Sequence, residues 1–215
     1  ITSEVVEGME FDKGYLSPYM VTNTERMEAE YKDVPVLITD KKISAVKELL
    51  PLLEKLAQTG RKEIVIIAED IEGEALATFV LNKIRGNFHV LGIKAPGFGD
   101  RKKDVLEAIA VTCGAKVISD EVGLKLDQAD VSLLGRAARV VSTKEKTVVV
   151  GGKGKKADIE KRSTQVRALL QNTKVVYERE YLEKRLAKLT GGVAIIRVGA
   201  ATETEMKYMK LKIED

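Results

Sequence analysis

The chain has 215 residues, 44% of them hydrophobic and 32% charged, which is enough apolar content for a sizeable core and excludes wholesale disorder. Its 36 basic and 33 acidic side chains leave a net charge of +3, so composition offers no general field for nucleic acid or an anionic membrane, and neither is expected as a partner. Cys113 is the single cysteine, which excludes an internal disulfide and points to a reducing compartment, the cytosol first.

No apolar run approaches the roughly 18 residues of a membrane span, and no charged-then-apolar leader opens the sequence. The first residue is Ile1 and the last, Asp215, falls inside a helical pattern. The expectation is a piece of a longer protein.

From the N-terminus, Glu4 to Phe11 alternates loosely as a strand. The GYLSPYM run that follows carries Pro18 and reads as an extended or turn segment. Residues 22 to 33 read as polar loop and Pro35 to Thr39 as a short buried strand, with Asp40 placed to cap a helix starting near Lys41. That helix would run to Gly60 and set Ile43, Val46, Leu49, Leu50, Leu52, Leu53, Leu56 and Ala57 over roughly 180° of surface, with Pro51 as a kink or a restart. EIVIIAE is a parallel-type strand by its unbroken β-branched run.

Next comes GEALATFVLNKIRG, residues 73 to 86, where Ala75, Leu76, Ala77, Phe79, Val80, Leu81 and Ile84 cover roughly 240° of a helix. That is more apolar surface than one core contact uses. A strand HVLGIKA, the turn PGFGD and a helix from about Lys102 to Val111 continue a βαβ order that implies a partly parallel sheet. Residues 116 to 152 predict short strands, a brief helix near Ser132 and a hairpin in which RVVS and TVVV flank a charged turn. Two helices with narrow stripes, KADIEKRSTQVRALLQNT and VVYEREYLEKRLAKLTGG, then the strand VAIIRVG and a helix beginning in TETEMKYMKLKIED complete the chain. The fold class is α/β, with mixed β-sheets flanked by helices.

The residues of a catalytic or metal centre are not assembled by spacing. His89, the single histidine, has no cysteine or carboxylate at ligand spacing and reads as a strand histidine. Cys113 reads as a small buried hydrophobe. GGKGKK lacks the upstream glycine and the following hydroxyl of a phosphate-cradling loop. GFGD stands between a strand and a helix, as a dinucleotide turn would, but Lys102 occupies the third glycine's place. A small nucleotide- or phosphate-binding domain using that turn is the alternative reading. Glu69 and Asp70 read as charges at a helix N-terminus, and the basic clusters Arg101 to Lys103 and Lys153 to Lys156 as solvated loops.

The runs EGMEFDKGYLSPYM, DKKIS, LLPLLE, IIAEDIEGEALATFVLNKIRG, KAPGFGDRKKDVLEAIA, GGVAIIRVGAATETEM and KIED closely resemble the group I chaperonin of bacteria and organelles, a heat-shock protein-folding machine. The similarity runs in unbroken order from about Val5 to Asp215. It implies a chaperonin apical domain over residues 8–191 and intermediate-domain segments at 1–7 and 192–215, without the equatorial ATP-binding domain.

By that resemblance the chain captures non-native polypeptides on an apolar groove between two helices, and the same groove takes the mobile loop of the small cochaperonin lid. The matching positions are Tyr15, Ser17, Tyr19 and Met20, then Leu50 and Leu53, then Leu76, Val80, Leu81 and Asn82, with Arg85 beside them. Gly8, Gly191 and Gly192 match hinge glycines, and Glu203 matches an inter-subunit switch carboxylate. Asp215 matches the family's ATP-hydrolysis carboxylate, but with no equatorial domain no catalytic residue is expected to function here. ATP and magnesium belong to the full-length parent, a heptameric ring, whereas this piece is expected to need no cofactor, hold no metal and be a monomer. The implied compartment is bacterial cytoplasm, with mitochondrial matrix or plastid stroma as alternatives. Met20 stands where the family commonly has an aromatic residue, Cys113-Gly114-Ala115 replaces its usual TGG, and residues 24 to 34 match it poorly.

Overall fold

In a computed structural model the backbone is described for residues 2–197 and 209–213 and the side chains for residues 5–192. Glu203 and Asp215 lie outside the described residues. The strands are β1 (Thr2–Phe11), β2 (Ala29–Ile38), β3 (Lys42–Ile43), β4 (Glu63–Ala68), β5 (Asp70–Ile71), β6 (His89–Lys94), β7 (Gly135–Ser142), β8 (Thr147–Gly152), β9 (Gly192–Arg197) and β10 (Met209–Ile213). The α-helices are α1 (Leu50–Gln58), α2 (Gly73–Ile84), α3 (Asp100–Cys113), α4 (Lys156–Asn172) and α5 (Val176–Thr190).

The main sheet runs β10-β9-β1-β8-β7-β2-β4-β6, and β3 pairs with β5 separately. Pairs β2–β4 and β4–β6 are parallel, as the βαβ order requires, and the remaining pairs of the main sheet are antiparallel. The fold class is therefore the mixed α/β sheet expected.

The period of two along the central strands divides the core. Val36, Ile38, Val65, Ile67, Leu91 and Ile93 join the cluster that holds Leu106 and Ile109 of α3, Val166 of α4 and Leu182 of α5. Their neighbours Leu37, Ile64, Ile66, Ala68 and Val90 join a second cluster with Leu52 and Leu56 of α1 and Ala75 and Phe79 of α2. Because both faces of β4 are covered, its sequence carries no polar alternation.

Three predicted elements differ. Residues 41 to 49 are not helical: Lys42–Ile43 is a strand and Val46–Glu48 one 3-10 turn. The helix starts at Leu50, with Pro51 in its first turn, where its missing N–H costs nothing. Asp40 does not cap it, because its Oδ2 accepts from the Ser119 hydroxyl at 2.6 Å. Strand β2 begins at Ala29, six residues before the expected boundary, since Ala29 and Tyr31 alternate into the core. Residues 209–213 pair with β9 as an antiparallel strand instead of continuing a helix.

Strands β2, β7 and β8 share a kink. Their ladders pass over Asp33, Ala138 and Gly151 without changing register, and Asp33 (φ 47) and Gly151 (φ 62) both adopt left-handed backbone on either side of Ala138. A Cβ on Gly151 would stand 2.8 Å from that of Ala138, so glycine is required there.

β1 changes partner along its length. Residues 2 to 7 pair with β9 and Gly8 to Phe11 with β8, so Gly8 sits at the crossover. Gly191 ends α5, its N–H donating to Ala187 O at 2.6 Å, and a Cβ there would collide with that carbonyl. Gly192 approaches β1 closely enough that a Cβ would lie 2.7 Å from Val5 Cγ1.

Candidate apolar binding surface

The surface is assembled from three pieces. The first, Tyr15 to Met20, is fastened to β6. Tyr15 bridges Ile93, the Leu16 N–H donates to Gly92 O at 2.9 Å, and the Gly92 N–H donates to Met20 Sδ at 3.4 Å. Gly92 must lack a side chain, because a Cβ would meet Ile71 Cδ1 at 2.8 Å and Met20 Cε at 3.4 Å. Ser17 caps the short 3-10 turn Pro18–Met20 by accepting from the Tyr19 N–H.

The second and third pieces are α1 and α2, whose inner faces share one cluster. The 3-10 turn between β3 and α1 ties the start of α2: Glu74 Oε2 accepts from the Val46 N–H at 3.1 Å and Ser44 O from the Ala75 N–H at 3.1 Å. A polar latch thus holds one end of α2 while Phe79 anchors its middle. Glu74 in the first turn also meets the positive end of the helix dipole.

Exposure divides the expected residues. Tyr15, Ser17 and Met20 are buried and so cannot be contact residues in this conformation. The Tyr15 hydroxyl donates to Met27 O at 3.1 Å, and Met20, at 0% exposure, is a peg under the segment. Of the four residues of this segment expected at the surface, Tyr19 alone is exposed, at 62%. The 3-10 turn sets successive side chains about 120° apart, and Gly92 of β6 leaves the space into which Met20 turns as Tyr19 turns outward.

On α1, Leu50 is exposed and Leu53 half-buried. On α2, Ala75 and Phe79 are buried, Leu76 and Val80 are half-buried, and Leu81 (44%) and Ile84 (63%) are exposed. Leu76 packs against both core clusters and is more wall than surface. Asn82 is half-buried, with Nδ2 donating to Thr78 O at 3.0 Å, and about 100° from Leu81 it stands on the polar side of the helix. Arg85 is exposed beyond the helix end. Ile84 is absent from the residues the resemblance supplied, although it continues the row Leu76–Val80–Ile84 at i, i+4, i+8, and that spacing was there to read.

The other chemical candidates are accounted for by structure. In the GFGD turn, the Gly97 Cα has the Lys102 backbone against it, 3.2 Å from where a Cβ would stand, and Lys102 Nζ donates to Glu69 Oε2 at 2.6 Å. Asp70 Oδ1 accepts from the Ile71 N–H. Burial of Cys113 pushes its thiol up to about 12, out of the range of a nucleophile at neutral pH. Burial first, and then the charge of Lys83, lower the pKa of His89, so the imidazole is neutral near pH 7. Among the described residues no three His, Cys, Asp or Glu side chains come together as a metal site. No described helix is long and apolar enough to cross a membrane.

Tyr19 on its 3-10 turn, Leu50 on α1 and Leu81 and Ile84 on α2 are thus large apolar side chains held in solvent by elements whose inner faces are fixed to one α/β core. The family model of the TCP-1/cpn60 chaperonins matches residues 1–215, and the chain belongs to that family. Chaperone action in protein folding comes with that membership, as do substrate polypeptides and ring-forming subunits as general partners.

Proposed function

We propose that this chain is a group I chaperonin apical domain that captures non-native polypeptides on the surface formed by Tyr19, Leu50, Leu53, Val80, Leu81 and Ile84, and that the cochaperonin mobile loop takes the same surface. The observation that carries it is the exposure of Leu81 and Ile84 on a helix whose Ala75 and Phe79 already supply its core contact.

Each such side chain contributes ~1.5–3 kcal/mol when fully desolvated, so partial burial of a few gives reversible binding. Apolar contact is also tolerant of sequence, since few polar partners must be matched. Several copies in a ring act together and raise avidity well beyond one site.

In this reading residues 8–191 form the apical unit, and 1–7 with 192–215 belong to the intermediate domain. The crossover at Gly8 and the close approaches at Gly191 and Gly192 suit a hinge at that boundary. Glu203 would serve inter-subunit switching and Asp215 nucleotide hydrolysis in a complete, heptameric subunit ring that binds ATP and magnesium. The chain alone turns over no ATP, and is monomeric. Bacterial cytoplasm is the proposed compartment.

A synthetic cochaperonin loop peptide should displace a bound denatured client from this chain competitively. Simultaneous binding of both would sink the shared-surface reading.

A further inference from the structure

A second cleft lies away from the apolar surface, where the end of α1, the end of α3, β2 and β7 meet. Its volume is about 560 Å³, within the span of small-molecule sites. Leu56, Val131 and Leu134 give it an apolar floor, and Arg61, Arg136 and Lys153 line it with positive charge.

The two arginines converge on one strained residue. Asp33 is a non-glycine residue in left-handed backbone, at the kink shared by β2, β7 and β8. Its Oδ1 accepts from Arg136 Nε at 3.3 Å, its Oδ2 from Arg61 Nη2 at 3.2 Å, and its carbonyl from Arg61 Nη1 at 2.6 Å. Two guanidiniums therefore share one carboxylate. Each guanidinium carries five N–H donors, so most donors of Arg136 and several of Arg61 are left over by these contacts.

Charge counting points the same way. Three cations less one carboxylate leave a surplus of two, in a chain whose whole net charge is +3. The adjoining groove adds Lys62 and Glu63, which cancel. Asp130, beside Val131, is already engaged by Lys55 at 3.7 Å. At the C-terminal end of α3, a local source of negative potential, Ala110 O accepts from the Gly114 and Ala115 N–H groups and Thr112 O from the Gly154 N–H. Arg61, with its side chain 30% exposed, is half-buried, which limits screening by solvent there, whereas Arg136 and Lys153 are open to an incoming ligand.

We propose that this cleft binds a small phosphate monoester carried on a compact apolar body. The phosphate sits against Arg61, Arg136 and Lys153, where planar guanidiniums give paired, charge-assisted hydrogen bonds, and the apolar body rests on Leu56, Val131 and Leu134. Asp33 holds the two arginines in place when the cleft is free and competes with the ligand for them. This site is independent of polypeptide capture.

The test is titration of the full chain with phenyl phosphate, followed by ¹H–¹⁵N correlation spectra at the amides of Gly114, Gly135, Arg136 and Lys153. Saturable shifts at these amides are expected. Benzyl alcohol, which has the body without the charge, should produce none, and inorganic phosphate should bind more weakly. Arg136→Ala should weaken phenyl phosphate by about 10-fold or more, the loss of one charge-assisted pair. Lys153→Gln, which leaves the Asp33 clamp intact, should weaken it by roughly 3-fold or more, and it decides the matter if Arg136→Ala does not fold. Asp33→Asn keeps a residue that tolerates left-handed backbone but removes the competing charge, and should tighten binding. Absence of saturable shifts up to millimolar probe, an unchanged Kd in Lys153→Gln, or weaker binding in a folded Asp33→Asn protein would each overturn the proposal.

Discussion

Phe79→Ala and Leu81→Ser, two changes two residues apart on α2, should separate stability from binding. Phe79 is 2% exposed and packs among Leu49, Leu52, Leu56 and Ala75, so truncation leaves a cavity in the second core. Losses for buried Phe→Ala run at about 3–5 kcal/mol, which for a chain of this size lowers the melting midpoint by roughly 6–20 °C. Leu81 is 44% exposed, and its replacement should cost about 1 kcal/mol or less.

For client affinity the order reverses. If binding buries the 44% of Leu81 that is now in water, the share of ~1.5–3 kcal/mol involved is about 0.7–1.3 kcal/mol, a 3- to 9-fold change in Kd. Urea unfolding followed by circular dichroism gives the first quantity, and fluorescence anisotropy with a labelled denatured client gives the second. A Leu81→Ser protein as destabilised as Phe79→Ala would mean that Leu81 is covered, and the division of α2 into an inner and an outer arc would be wrong.

Two further outcomes follow from buried polar groups. The Tyr31 hydroxyl is buried without a hydrogen-bond partner among the described residues, and burial together with Glu63 raises its pKa, so Tyr31→Phe should be neutral or stabilising by about 1 kcal/mol in urea unfolding; a loss of that size would contradict the assignment. Cys113 keeps its proton in the native state up to about 12 whereas the unfolded chain gives it up near the ordinary thiol value of 9.0, so stability should fall as the pH rises through that interval, by up to about 1.4 kcal/mol per pH unit. Native protein should correspondingly resist thiol reagents at pH 8 until it unfolds, and rapid labelling would refute the burial.

Where a helix or strand supplied its own periodic signal, the sequence was readable. α4, α5, the β7–β8 hairpin and the β4–α2–β6 unit stand close to where their patterns place them. Residues 41 to 49 were not readable, because Ile43, Val46 and Leu49 fall at helical spacing by coincidence. Their burial comes from a two-residue strand and a 3-10 turn fixed by long-range hydrogen bonds to residues 69 to 75. β10 was hidden by residues of high helix propensity, although Met209, Leu211 and Ile213 alternate with Lys210 and Lys212 at the strand period.

The apolar excess of α2 was legible as an arc, and the resemblance singled out Leu81 within it, but which sector faces the core came from the burial of Ala75 and Phe79. The inward turn of Met20 was not legible, because it depends on the space left by Gly92 on a strand 72 residues away. The cationic cleft was hidden for a similar reason: Arg61, Arg136 and Lys153 are far apart in sequence, and Lys153 read as part of a solvated loop.

The most direct measurement compares binding of this chain to one protein in its denatured and native forms, with Leu81→Ser as the control, since Leu76 is too deeply packed to be changed without disturbing the core. Capture of non-native polypeptide on the outer arc predicts clear preference for the denatured form and a weaker, still folded Leu81→Ser protein. Equal binding to both forms, or a folded Leu81→Ser protein that binds as the unaltered chain does, would contradict it.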